Sequence, residues 1–161
     1  MIANLKVSDD GYAFQGEVWF NLFQMDCLVY IGEGVSIEYA EKCIAMLDNL
    51  SGKTVDRICG ACVRYCEDFR AFFKEEDMAI PEGVSGKAIL QYVKPLRIFI
   101  SQPPEKGKTG CSIELNCDWE PEHGMEWTIE EGEIKYVGPF EANPPFSERL
   151  AYSVAHNLGY Q

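Results

Sequence analysis

Positive charge is scarce in this chain and histidine scarcer: 14 Lys and Arg and 2 His stand against 26 Asp and Glu, for a formal net charge of −12. That deficit opposes long-range attraction to nucleic-acid phosphates or to an anionic membrane, so neither is expected as a partner. Long apolar runs are missing too. No window approaches the ~18 uninterrupted apolar residues of a membrane-spanning helix. The opening MIANLKVSDDGYAF has neither the basic nor the apolar region of a secretory signal. Seven cysteines, an odd number, cannot all pair with one another. The expectation is a cytoplasmic protein with reduced thiols that behave as small hydrophobes. No complete catalytic or cofactor signature occurs, and no cofactor is expected.

What is present suits one domain spanning residues 1–161. The chain is 47% hydrophobic and 25% charged, enough apolar material for a core, and no repeat, low-complexity tract or linker divides it. The first thirty residues alternate with period two. Tyr12, Phe14, Val18 and Phe20 are separated by Gln15 and Glu17, and Met25, Cys27, Val29 and Ile31 repeat the pattern. Asp9-Asp10-Gly11 predicts a hairpin turn.

The period then lengthens to about 3.6. Ser36 is a good N-cap for a helix that buries Ile37, Ala40, Ile44 and Leu47. After the Leu50-Ser51-Gly52 break, a longer helix places Val55, Ile58, Cys59, Cys62, Val63, Cys66, Phe69 and Phe73 in one stripe. A helical hairpin is predicted, closed by Glu75-Glu76-Asp77, with a short third helix over 86–93. Period two returns at Leu96, Ile98 and Ile100, and again over Cys111 to Trp119. A final hairpin turns at Glu131-Gly132, its register pairing Ile129 with Ile134, Trp127 with Tyr136 and Thr128 with Lys135. A terminal helix over 147–156 completes the prediction. The fold class is α+β: antiparallel N- and C-terminal strands, in one sheet or two adjoining ones, with the helical hairpin packed on one face.

Three segments invite a chemical reading. Cys59, Cys62 and Cys66 have the proximity of metal ligands, but their spacing of three and four is also that of a helix face, and a fourth ligand is missing. Ser51-Gly52-Lys53-Thr54 copies the end of a phosphate-binding loop. The earlier glycine that such a loop needs falls on Leu47, within a helix, so a helix-to-helix turn explains it.

The segment from Cys117 to Trp127 is the most informative. It places Asp118, Glu120, Glu122 and His123 at the mouth of a hairpin. As a calcium loop it fails, because counting from Asp118 puts His123 and Ile129 where glycine and glutamate are required. An acid–base or metal centre with His123 as base and Glu120 or Glu122 as partner is one reading. A second makes Glu122 and His123 turn-fixing residues, Gly124 a positive-φ position and Trp119 and Trp127 core residues. A third is a recognition surface, which the charge distribution favours. Between Glu114 and Glu133 there are eight carboxylates and no Lys or Arg, so −8 of the net −12 falls on this hairpin and its approach. Alternation sends several of them, Glu126 and Glu130 among them, to the face opposite the core, where like charges are costly unless a basic protein or a cation covers them.

The run Ile113 to Ile129, with its Trp119, Glu122, His123 and Gly124, followed by Gly132 and Tyr136-Val137-Gly138, resembles a group of uncharacterised bacterial domains that carry a Trp-acid-x-Glu-His-Gly segment before a C-terminal hairpin. The resemblance covers the last third of the chain. It implies a small cytoplasmic protein of the kind that includes toxin-immunity factors, and it supplies no catalytic residue. The expected function is therefore non-enzymatic binding of a basic protein through Asp118, Glu120, Glu122, His123, Glu126 and Glu130. The rival is a metal-dependent or acid–base enzyme centred on Asp118 to His123.

Overall fold

The computed structural model describes residues 1–73, 78, 80–103 and 105–147. Seven strands make one sheet in chain order: β1 (Ala3–Val7), β2 (Phe14–Phe20), β3 (Met25–Ile31), β4 (Val93–Ile100), β5 (Gly110–Cys117), β6 (Met125–Glu130) and β7 (Glu133–Pro139). The two strand groups of the sequence thus share a single sheet. Its pairs are antiparallel except β3 with β4, which are parallel. That exception corrects the expected all-antiparallel pairing. The intervening helices return the chain to the end of the sheet where β3 began, and parallel neighbours need such a crossover.

The crossover holds α1 (Ile37–Asp48), α2 (Gly52–Phe73) and a 3-10 helix (Gly86–Tyr92), which is the short third helix expected there. Ser36 caps α1 by accepting the N–H of Tyr39 at 3.1 Å. Ser51 does the same for α2 with the N–H of Thr54 at 3.0 Å, and the Thr54 hydroxyl donates to the Gly132 carbonyl at 3.0 Å. The Ser51 to Thr54 motif is therefore a helix start pinned to the β6–β7 turn. The helical hairpin is only partly realised. Few contacts join α1 to α2, and α2 packs mainly on β7 and the 3-10 helix. Glu75 to Asp77 and the terminal helix expected from 147 lie, apart from Ser147, outside the described residues.

The core fills the space between the helices and the inner sheet face. Ala40, Cys43, Ile44 and Leu47 of α1 and Ile58, Cys59, Cys62 and Cys66 of α2 meet Val29, Ile98, Ile113, Met125 and Trp127. Cys62 Sγ lies 4.0 Å from Met125 Sδ, so the cysteine stripe is core packing. All seven cysteines are buried and unpaired. Burial pushes their thiols up, Cys27 to about 11 and Cys117 to about 12.

The last hairpin departs from the simple register. Glu131 and Gly132, at φ +52° and +76°, form the expected two-residue turn, and Ile129 faces Ile134. Lys135 is then an extra residue, a bulge, so Trp127 pairs with Val137 and Thr128 with Tyr136. Tyr136 is thereby turned to the outer face, fully buried, with its hydroxyl donating to the Pro139 carbonyl at 2.8 Å.

Candidate functional site

The outer sheet face has two unlike halves. Over β5 to β7 the chain doubles back after Pro139, and residues 140–146 lie across the strands as a strap. Ser112 Oγ donates to the Asn143 carbonyl at 2.6 Å, and the Phe146 N–H donates to Glu130 at 2.7 Å. Glu126, wholly buried, accepts the N–H groups of Glu141 and Asn143, each at 3.0 Å, and the Thr128 hydroxyl at 3.3 Å. Burial raises its pKa above the ordinary carboxylate value, and the amide hydrogen bonds oppose that rise.

Glu126 and Glu130 do lie opposite the helical core, as the alternation predicts. Glu126 is wholly buried there and Glu130 half-buried, so neither stands free on an open surface. The physical reason is that a buried strap needs acceptors for its N–H groups, and these two carboxylates provide them. Other members of the acidic run are also engaged: Glu114 with Arg97 at 2.9 Å, Glu133 with Arg57 at 2.7 Å, and Glu131 with the Thr109 hydroxyl at 3.1 Å.

The turn between β5 and β6 holds the other nominated residues. Trp119 and Trp127 are buried in the core. Gly124, at φ +75°, has its N–H on the Glu120 carbonyl at 3.2 Å, and a Cβ there would lie 2.9 Å from the Leu115 carbonyl oxygen. Only glycine suits that combination. Glu120, largely enclosed, accepts the Tyr65 hydroxyl from α2 and contacts His123 Nδ1 at 2.8 Å. Tyr65 also meets the Trp119 ring edge-on at 5.8 Å. Burial, reinforced by the Glu120 carboxylate, pushes the Tyr65 phenol well above its usual range. Glu120, rather than Glu122, thus ties the turn to the helix. Asp118, Glu122 and His123 are exposed, and the side chains of Asp118 and Glu122 have no hydrogen-bond or ion-pair partner among the described residues. No cluster of three His, Cys, Asp or Glu suited to a metal ion occurs among the described residues.

The residues that sequence reasoning missed lie on the other half, over β2 and β3, which is bare of cover among the described residues. Trp19 is 49% exposed and Leu28 is 52% exposed. Trp19 faces Asp26 across the strands, and Glu17 faces Leu28. A signal was present: Trp19 and Leu28 occupy the polar phase of otherwise alternating strands. Parallel β3 and β4, followed by antiparallel β5, also bring the β2–β3 and β5–β6 turns to the same end of the sheet. Asp118 and Glu122 therefore lie at the end of the sheet where Trp19 and Asp26 lie.

A family model described as a domain of unknown function (DUF6985) matches residues 2–144. The chain belongs to this family. The match runs from β1 through the helical crossover and into the strap, far beyond the last third that carried the sequence resemblance. No curated protein and no solved structure matches the chain. Membership in DUF6985 therefore brings no assigned activity. Among the described residues no helix is long and apolar enough to cross a membrane.

Proposed function

We propose that this protein is a non-enzymatic, cytoplasmic binding protein that docks a basic protein partner on the bare half of its outer sheet face, in the manner of a toxin-immunity factor. The observation that supports this reading is the contrast between the halves. One is roofed by the chain's own strap, while the other leaves Trp19 and Leu28 half exposed beside Glu17 and Asp26. Large apolar side chains with an acidic rim suit a partner interface, where aromatic anchors supply affinity and complementary charge speeds encounter. The acidic end of the chain's final hairpin keeps a part in it, because Asp118 and Glu122 extend the rim. The test is a photo-crosslinking residue placed at Leu28 and, separately, at Lys53 on α2, in the protein expressed in its own cells. A single basic protein captured from position 28 and not from 53 is the expected result. The same pattern from both positions refutes the assignment of the face.

A second reading, acid–base or metal chemistry at the β5–β6 turn, draws on the 2.8 Å contact between Glu120 and His123. Metal analysis of untagged protein separates the two. Stoichiometric metal that disappears in His123→Ala would replace the binding reading.

A further inference from the structure

We propose that Trp19, Asp26, Glu17 and Leu28 form a recognition site for an arginine side chain. The inference rests on the docking reading of the same face and specifies its chemistry. In the β2–β3 register Trp19 lies directly across from Asp26, and Glu17 directly across from Leu28. Residues 17 and 19 share one face of β2, as 26 and 28 share one face of β3. The four positions make a two-by-two array with the carboxylates on one diagonal and the apolar groups on the other.

Each member has room for a ligand. Trp19 makes no ring or cation contact among the described residues, and Glu17 and Asp26 enter no ion pair there. Glu17 accepts one hydrogen bond, from Asn4 Nδ2 at 2.6 Å, which fixes the carboxylate and leaves acceptor capacity. Among the described residues no cation forms an ion pair with the array. Lys6 is opposite Gln15, Lys94 is opposite Asn116 on β4, and Arg97, beside Leu28 on β4, is held by Glu114 and lies 5.7 Å from the Phe99 ring centre. Arg97 also marks the edge of the site, because a second guanidinium seated over β4 would meet its charge.

Arginine fits this array better than lysine does. Its planar guanidinium stacks on an indole face while its N–H edge reaches a carboxylate, and both can occur at once because Asp26 is the direct cross-strand neighbour of Trp19. Its aliphatic stem has Leu28 to lie against. A lysine ammonium is a compact hydrated charge that gains the carboxylate and little of the stacking.

The test uses the full chain and two peptides, acetyl-(Gly-Arg)3 amide and acetyl-(Gly-Lys)3 amide, titrated by calorimetry and by tryptophan fluorescence at fixed salt. Trp119 and Trp127 are buried at 2% and 0% exposure, so a fluorescence change on binding reports Trp19. The arginine peptide is expected to bind at least about fivefold more tightly than the lysine peptide. Trp19→Leu or Asp26→Asn is expected to weaken it about tenfold, and Asp56→Asn, on α2 away from the docking face, to leave it unchanged within about twofold. All three changes are on exposed side chains, and circular dichroism checks that each variant folds. Equal affinity for the two peptides, or arginine binding indifferent to Trp19 and Asp26, overturns the arginine site. That result leaves the docking reading standing or falling on the crosslinking experiment, which uses no peptide.

Discussion

Replacing Glu126 by alanine should detach the strap without unfolding the sheet. The carboxylate is the acceptor for two strap amides, Glu141 N–H and Asn143 N–H, each at 3.0 Å. Hydrogen bonds to a charged group are worth roughly 1.5–3 kcal/mol each, and a buried amide left unpaired costs about as much. Two effects limit the loss. Glu126 is itself costly to ionise where it sits, as its raised pKa records, and a peeled strap regains water as a partner. A net destabilisation of about 3 kcal/mol follows, or a fall in Tm of roughly 6–12 °C at about 2–4 °C per kcal/mol for a chain this size. Locally, exchange of the 141 and 143 amides should accelerate about 100-fold. Glu126→Gln, which keeps one acceptor oxygen, should lose about half as much. The control is Glu122→Ala, expected within about 0.5 kcal/mol of wild type. The assay is thermal and urea denaturation with amide exchange on the three variants. If Glu126→Ala matched Glu122→Ala in stability and in strap exchange, the role given to the buried carboxylate would be wrong. The pH dependence has a definite sign. The folded pKa of Glu126 is raised above its ordinary value of 4.5, so the proton-linked part of its contribution is fully present below that value and is lost as pH rises through the folded pKa, while the amide hydrogen bonds to the carboxylate persist above it. The stability advantage of wild type over Glu126→Gln should therefore shrink across that interval.

Other outcomes follow from the same contacts. Tyr65→Phe removes the hydroxyl that Glu120 accepts and should cost about 1 kcal/mol in urea denaturation. Gly124→Ala combines φ +75° with a Cβ 2.9 Å from the Leu115 carbonyl oxygen, so a loss of about 2 kcal/mol or more is expected in the same assay. A loss below 0.5 kcal/mol in either variant would contradict the geometry of this turn. The thiols should resist an aromatic disulfide reagent in the native state at pH 8 and react completely after denaturation, since all seven are buried.

Strand existence, the start of α1 and most of the core were legible because they are set by local period and capping: Ser36, the Val18/Phe20 face and the Cys59/Cys62/Cys66 stripe all lie where their spacing puts them. Long-range consequences were not. Alternation placed Glu126 opposite the core correctly, but nothing local announces that a segment fifteen residues later returns to cover it. One extra residue, Lys135, moved Tyr136 to the other face, and a bulge leaves no mark in a period-two pattern. The parallel pairing of β3 with β4 depends on where the crossover delivers the chain. At the candidate site, Gly124, Trp119 and Trp127 were readable, whereas Tyr65, the partner of Glu120, sits on a helix far away in sequence.

The strand order has a consequence for how the molecule is held together. Every strand pairs with its sequence neighbours, and all junctions but one are hairpins or short connections. The two meanders, β1 to β3 and β4 to β7, are each built from near-in-sequence contacts, which form quickly. They are joined in the sheet only along the short parallel seam from Leu28/Arg97 to Ile31/Ile100. That seam, with the helices bridging above it, is where the long-range entropy of closure is concentrated. Cutting the chain in the loop at 81–85, ahead of the 3-10 helix, should yield two pieces whose reassociation can be followed as a bimolecular reaction, turning the internal seam of one domain into a measurable interface.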